Sequence, residues 1–342
     1  MDRYRGISSA EEVVEGTITA GPRPLSGKIN LPTKQTTLSR PINCVGVGLH
    51  SGKRVSLCLK PAGPNDGIVF VRSDLSGKPE IKASWENVVD TRMCTTLGNS
   101  EGVTVSTVEH LMAALSGCHV DNVIVEVDGS EVPIMDGSAQ PFVFLVECSG
   151  LEVLNVSRNI IEILRAVTVK SNGGIGELSP GTSFSIGFEI EFDNKAVSRQ
   201  ELQVDLVNGT FKKEIARART FGFIHEVEAL RASGLARGGN LDNAVVVDGD
   251  HILNDGGLRY TDEFVRHKVL DAVGDLYLAG SPILGHYRGV RAGHEVTNKL
   301  LQALFADPTA WRLVNLAGAQ ATLDGKCVSK ADKTSDTLVA SA

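Results

Sequence analysis

Apolar and polar residues alternate along several short stretches of this chain, and a period of two predicts strands. Val55-Ser56-Leu57-Cys58-Leu59-Lys60 puts its apolar side chains on one face of a pleated ribbon. Asn122-Val123-Ile124-Val125-Glu126-Val127 reads as an apolar strand closed by the turn pair Asp128-Gly129. Residues 184–192 alternate throughout. Helical spacing is rarer. It runs through 106–115, through 262–275, and through the segment that opens at His294 and continues over 295–304. Strands outnumber helices, so an α+β chain is expected.

The order of these elements repeats. In each half an amphipathic helix is followed by a strand and then by a helix started at a glycine. His110 and His267 are as far apart in the chain as Gly137 and His294. The expectation is two similar domains from a duplicated unit, with a site at the seam between them. The domains are expected at 34–156 and 157–312. Residues 1–33 hold no sustained periodicity and run through Gly21-Pro22-Arg23-Pro24-Leu25-Ser26-Gly27, which predicts a mobile extension. Residues 313–342 form a C-terminal segment whose polar tail begins at about Lys326.

Composition narrows the function classes. The 342 residues are 42% hydrophobic and 22% charged, as in an ordinary folded protein, and the formal net charge of −7 argues against nucleic acid as a partner. No apolar run approaches the ~20 residues of a membrane span. The first residues lack the apolar stretch of a secretory signal, and Glu11, Glu12 and Glu15 disfavour a transit peptide. A cytoplasmic protein is expected. Cys44, Cys58, Cys94, Cys118, Cys148 and Cys327 form no Cys-x-x-Cys pair and read as buried reduced thiols. Any metal must therefore use His, Asp or Glu.

Two helical segments carry such residues. The first holds Glu109 and His110. The second stacks His267, Asp271 and Asp275 at four-residue steps along one face. Each admits a plain reading and a chemical one. Ser106-Thr107-Val108-Glu109 fits a capping box, in which Glu109 only bonds back to the helix start. Against that, His110 sits on a helix headed into a core, where an imidazole needs a partner or a metal. Neighbouring helical side chains diverge by about 100°, so His110 can face an ion while Glu109 faces a water beside it. The second cluster can be a solvated stripe opposite Phe264, Val269, Leu270, Val273 and Leu276. Alternatively, side chains four apart lie ~5–6 Å from each other, so a nitrogen and a carboxylate oxygen can share one ion at ~2.0–2.2 Å. Asp275, one turn further, suits a position that orients an imidazole. Lys268 can pair with a carboxylate or an anionic substrate. Three ligands and a spare carboxylate are what a hydrolytic zinc site requires, provided the two segments meet.

His294 is either a cap or a proton donor. The positive end of a helix dipole disfavours an imidazolium, so a proton-donating His294 needs a carboxylate in contact, such as Asp275. Thr220 offers a hydroxyl to an oxyanion or to a local turn. Its neighbours Arg217 and Arg219 either face solvent or meet phosphate. His119, His225, His251 and His286 have no carboxylate at ligand spacing and read as structural or surface residues.

Seven segments taken in order carry a resemblance. They are Gly46-Val47-Gly48-Leu49-His50-Ser51-Gly52-Lys53, Ser106-Thr107-Val108-Glu109-His110-Leu111, Pro133-Ile134-Met135-Asp136-Gly137-Ser138-Ala139 and Ala218-Arg219-Thr220-Phe221-Gly222-Phe223. Then come Gly238-Gly239-Asn240-Leu241-Asp242-Asn243-Ala244, Asp262-Glu263-Phe264-Val265-Arg266-His267-Lys268-Val269-Leu270-Asp271 and Ala292-Gly293-His294. Together they resemble the UDP-3-O-acyl-N-acetylglucosamine deacetylase family, the zinc amidases of lipid A biosynthesis, from about Gln35 to about Leu304.

The resemblance implies two similar α+β domains, each a sheet layered with helices, the helices packed between the two sheets. It implies one Zn2+, replaceable by Fe2+, held by His110, His267 and Asp271 with water in the fourth position. Glu109 then matches the general base, His294 the proton donor to the leaving amine, Asp275 the residue that orients His294, and Thr220 the oxyanion donor. Lys268 joins this catalytic set and, with His50, lies near the substrate. An inserted unit at about 224–248 would form an apolar passage for the acyl chain, with Leu49, Val227, Ala236 and Leu241 as its lining. Phe221 and Gly239 complete the substrate-binding candidates. The implied reaction converts UDP-3-O-acyl-N-acetylglucosamine to UDP-3-O-acyl-glucosamine and acetate, an early committed step of lipid A biosynthesis in a Gram-negative bacterium, catalysed by a monomer. The N-terminal extension and the polar tail fall outside the pattern. The residues alone leave two other classes open. One is a zinc hydrolase of another amide such as a peptide, though His-Glu-x-x-His is absent. The other is an acyl-sugar or nucleotide binder without activity.

Overall fold

Alternation in the sequence becomes alternation in burial. Strand Arg54–Pro61 buries Val55, Leu57 and Leu59, and strand Phe184–Glu191 buries Ile186, Phe188 and Ile190. These strands belong to two sheets of matching design in the computed structural model, which describes residues 31–317. The first sheet has the order Ile42–Val47, Arg54–Pro61, Val123–Val127, Ile68–Arg72, Glu80–Lys82. All its pairings are antiparallel except that of Val123–Val127 with Ile68–Arg72. In the second, Val167–Ser171, Gly174–Ser179, Ile283–Val290, Phe184–Glu191 and Arg199–Asp205 follow the same order. Again only the pairing between the third and fourth of these is parallel. Asn159–Ile163 and Trp311–Asn315 extend the second sheet.

Five α-helices lie among the described residues: α1 (Glu109–Gly117), α2 (Gln140–Ser149), α3 (Ile224–Ala232), α4 (Glu263–Tyr277) and α5 (His294–Phe305). α1 and α2 bracket the central strand of the first sheet in sequence, as α4 and α5 bracket that of the second. The helix starts keep one separation, Glu109 to Glu263 and Gln140 to His294. Gly137 precedes α2 rather than starting it, so the helices repeat at a slightly shorter spacing than the two histidines suggested.

α1 packs on α4, α2 lies beside α1, and α5 lies beside α4 and against the second sheet. One continuous apolar core joins these helices to both sheets. α4 is buried on nearly every side, as a helix between two layers must be. Its contact with α1 depends on Gly274. A Cβ there would run into the carbonyl oxygen of Glu109 and lie 2.8 Å from its carbon and 3.1 Å from the Ala113 nitrogen. Only glycine lets the two backbones approach so closely.

Some expected boundaries shift. Arg158 donates its backbone N–H to Thr33 and its guanidinium to Pro32, at 2.8 and 2.9 Å, so residues 31–33 belong to the folded body. The rest of the expected extension lies outside the described residues, as do the tail from Lys326 and Cys327. The boundary at 312 falls inside strand Trp311–Asn315, which pairs with Asn159–Ile163. So short a strand shows too little alternation to be read from sequence. The unit expected at 224–248 is α3 plus strand Val245–Asp248. It is anchored by Phe221–Phe223, parallel to Val245–Asp248, and by His251–Ile252. No helix among the described residues is long and apolar enough to cross a membrane.

Candidate metal centre

The crossing at Gly274 carries His110, in the first turn of α1, against His267 and Asp271 on successive turns of α4. Their ligand atoms all lie within 4.8 Å of one another, and all three residues are buried. Asp271 Oδ1 stands 3.5 Å from His110 Nε2 and 3.4 Å from His267 Nε2. A tetrahedral ion with bonds of ~2.0–2.2 Å separates its ligands by roughly 3.3–3.6 Å, so the spacing fits. Among the described residues Asp271 Oδ1 has no hydrogen-bond partner, although a buried oxygen left unpaired is costly. A cation would satisfy it. The other oxygen of Asp271 accepts from Lys268 Nζ at 2.9 Å. His267 Nδ1 donates to the Ala218 carbonyl at 3.1 Å, which turns the Nε2 lone pair toward the cluster.

The electrostatics match a ligand set. Burial pushes His267 from 6.5 down to about 3, with Asp271 opposing and His110 and Lys268 adding to the fall. Its imidazole is neutral at pH 7, the form that binds metal. Burial alone would raise Asp271. The neighbouring His267 and Lys268 and the approach of His110 outweigh it and hold the carboxyl well below 3.8. Two imidazoles and a carboxylate are a donor set suited to zinc or a similar divalent ion.

Glu109 and His294 flank this cluster. Glu109 is 4% exposed, and its Oε2 accepts from the Thr95 backbone N–H at 3.0 Å. The capping-box reading fails: α1 starts without a side-chain cap, and Ser106 is drawn into a bridge with Glu131, its hydroxyl donating to Ser130. Burial raises the Glu109 carboxyl above its ordinary 4.5, while His294 and His110 pull it back. His294 Nδ1 meets Asp275 Oδ2 at 2.8 Å, so the carboxylate contact that a charged His294 requires is present. Burial opposes the imidazolium. The Asp275 charge and hydrogen bond, with Glu109 and Asp271 behind them, win and raise His294 from 6.5 to about 9. Asp275 Oδ1 accepts from the Thr95 hydroxyl at 2.6 Å.

Glu109, His110, His267, Lys268, Asp271 and His294 line one cavity of ≈ 1220 Å³. Asp275 lies behind His294. Leu49, His50, Phe221, Val227, Ala236, Gly239, Leu241, Thr220 and Lys268 line the same cavity. Thr220 is fixed through its backbone: its N–H donates to Gly137 and its carbonyl accepts from Val245, both at 2.8 Å. No hydrogen bond to its hydroxyl occurs among the described residues, and the residue lines the cavity. Gly137, at φ 82°, leaves no room for a Cβ beside the Asn243 carbonyl, so this junction also demands glycine. Both ring nitrogens of His50 are buried without partners among the described residues. Glu131 holds its loop, accepting from the His50 and Ser51 backbone at 2.8 and 2.9 Å and from the Thr107 hydroxyl at 3.2 Å.

Other readings need correction. His267, Asp271 and Asp275 are no solvated stripe; they are 2%, 6% and 4% exposed, because α4 has core on both sides. Arg219 neither faces solvent nor awaits phosphate; it is buried in an ion pair with Glu263 at 2.8 Å. The five cysteines among the described residues are free, but only Cys94 and Cys118 are buried, and Cys44, Cys58 and Cys148 are half-buried. Of the four histidines set aside, none lines the cavity; the ring of His286 meets Ser185 Oγ at 2.8 Å. Sequence reasoning missed Thr95, Glu131 and three cations of the cavity lining, Arg92, Arg291 and Lys299, which pair with Asp90, Glu191 and Glu295. Apart from Lys299 on α5, these are lone residues outside helices and carry no spacing signal. The Glu131 loop did lie directly before a matched motif.

Comparison with known proteins agrees with this geometry. A family model for UDP-3-O-acyl N-acetylglycosamine deacetylase matches residues 35–306. The UDP-3-O-acyl-N-acetylglucosamine deacetylase of Acidithiobacillus ferrooxidans is 51% identical over 290 residues, covering 84% of this chain and 95% of the relative. Its namesake from Chromohalobacter salexigens is 50% identical over 283 residues, covering 82% and 93%. That from Idiomarina loihiensis is 49% identical over 291 residues, covering 84% and 95%. With its matched helix pair and the family pattern running through nearly all of the folded body, the chain belongs to the UDP-3-O-acyl N-acetylglycosamine deacetylase family.

Proposed function

We propose that this enzyme hydrolyses the N-acetyl amide of UDP-3-O-acyl-N-acetylglucosamine, giving acetate and UDP-3-O-acyl-glucosamine, an early committed step of lipid A biosynthesis in a Gram-negative bacterium. The observation that carries the reading is the convergence of His110, His267 and Asp271 beside Glu109 and His294 on one cavity with an apolar arm. His110, His267 and Asp271 would hold one Zn2+, with Fe2+ as the alternative. When bound, such an ion lowers the pKa of a water from 15.7 to about 7 and polarises a carbonyl.

The remaining roles belong to the chain's own groups. Glu109 removes the proton from the water that adds to the acetamide carbon, and its raised pKa matches that task. The Thr220 hydroxyl donates to the amide oxygen as charge develops there, a contribution of roughly 3 kcal/mol for one such donor. His294, kept protonated by Asp275, passes its Nε2 proton to the departing amine. Lys268, held at 2.9 Å by Asp271, lies on the cavity wall close to the reacting amide, and His50 supplies unpaired nitrogens to the sugar. Leu49, Val227, Ala236 and Leu241 take the acyl chain, at about 0.8 kcal/mol for each methylene buried. Arg92, Arg291 and Lys299 suit the diphosphate.

The same reading divides the chain into two α+β units, supported by the repeated strand order. One chain supplies every group of the site, so a monomer suffices. Five free thiols fit the reducing cytoplasm. The test is acetate release from UDP-3-O-acyl-N-acetylglucosamine, with peptide amides as the rival substrate. Release that a chelator abolishes and zinc restores supports the reading. Cleavage of peptides instead, or release indifferent to chelation, contradicts it.

A further inference from the structure

We infer that Thr95 is a positioning residue that ties the proton-accepting and proton-donating ends of the site together, and that its hydroxyl fixes His294 through Asp275. The catalytic part of this inference rests on the reaction proposed above. Thr95 precedes strand Thr96–Gly98 in a small sheet of the first half of the chain and is 1% exposed. Its polar groups reach two acidic residues on different helices. The backbone N–H donates to Glu109 Oε2 at 3.0 Å, and the hydroxyl donates to Asp275 Oδ1 at 2.6 Å. The backbone carbonyl accepts from Val108 at 3.4 Å, next to the start of α1. Asp275 Oδ2 then meets His294 Nδ1 at 2.8 Å. One buried residue thus touches the base directly and the proton donor through a single carboxylate.

The chemistry gives the hydroxyl a specific task. An ionised carboxylate only accepts, so the threonine O–H must be the donor. A carboxylate held at one oxygen can rock about its terminal torsion, which is broad. A second donor on the other oxygen fixes its plane and therefore the imidazole ring, leaving Nε2 aimed at the cavity. No other side chain among the described residues donates to that oxygen. Threonine is also stiff at χ1, so it holds its hydroxyl at low entropic cost.

The experiment compares Thr95→Val, which keeps the shape and removes the hydroxyl, with Thr95→Ser, which restores it. The readouts are kcat and KM for acetate release, zinc per chain, the thermal midpoint, and the downfield proton resonance of His294 Nδ1. Thr95→Val is expected to lower kcat about tenfold, the effect of losing one hydrogen bond to a charged group. KM and zinc content should hold, the midpoint should fall modestly because Asp275 Oδ1 loses its donor, and the His294 resonance should shift or broaden. Thr95→Ser should recover kcat and the resonance. In an Asp275→Asn background, Thr95→Val should cost nothing further. Unchanged kcat in Thr95→Val, an equal loss in Thr95→Ser, loss of zinc, or independent multiplication with Asp275→Asn would each overturn the inference. The resonance needs no turnover. If it responds as expected while the wild type releases no acetate, the reaction is wrong and the positioning stands.

Discussion

His267 is buried and His294 nearly so, they lie on the neighbouring helices α4 and α5, and both have an aspartate close by, yet their imidazoles are driven in opposite directions. His267 falls to about 3 and His294 rises to about 9. Burial disfavours the charged ring in each case, so the aspartates decide. Asp275 gives His294 a direct hydrogen bond at 2.8 Å. Asp271 spends one oxygen on Lys268, and its other oxygen stands 3.4 Å from His267, whose opposite nitrogen already donates to a carbonyl. One histidine is left neutral with a lone pair free for a cation. The other is loaded with a proton. The lesson is that how a carboxylate is shared, more than its mere nearness, divides ligand from acid.

The comparison can be broken at three levels. The largest effect on turnover belongs to Glu109→Ala, which removes the proposed base beside both rings. Turnover should fall about 10²–10⁴-fold with zinc content unchanged; near-full activity would show that Glu109 is not the base. Asp275→Asn comes next. It withdraws the charge that holds the His294 proton, so kcat should fall and the alkaline limb of the pH profile should move down from about 9. A limb that stays put would separate Asp275 from His294. The acid limb should lie above the ordinary glutamate value of 4.5, because Glu109 is raised by burial and must be ionised to act.

The smallest effect is on stability in the metal-free protein. His294 binds its proton more tightly folded than unfolded. Its contribution is therefore fully present below pH 6.5 and lost as pH rises through about 9. His267 runs the other way: its contribution is present above pH 6.5 and lost as pH falls through about 3. The unfolding free energy read from urea melts should decline between pH 6.5 and 9, by a few kcal/mol at most. Asp275→Asn should flatten that decline.

Much of this was legible in the sequence for physical reasons. His267 and Asp271 stand four apart, and a helix turns that spacing into a shared face. Val55, Leu57 and Leu59 alternate, and a half-buried strand must alternate. The ordered motifs named the family where a lone Glu-His pair could not. What stayed hidden depends on contacts between distant segments. Gly274 looks like a helix defect until α1 is seen resting on it. Thr95 is one threonine in a loop, and nothing nearby announces that it faces two carboxylates. Ser106 to Glu109 fits a capping pattern, but tertiary pairing with Glu131 removes Ser106 from the helix. The Arg219–Glu263 ion pair likewise joins residues that no local spacing connects.

The central claim is that residues from α1 and α4 grip one cation. Zinc per chain, measured on purified wild type and on single alanine variants, tests it most directly. The expected result is one zinc in the wild type, in Glu109→Ala and in His294→Ala, with loss in His110→Ala, His267→Ala and Asp271→Ala. Full zinc in His110→Ala, or equal loss in Glu109→Ala, would contradict the account.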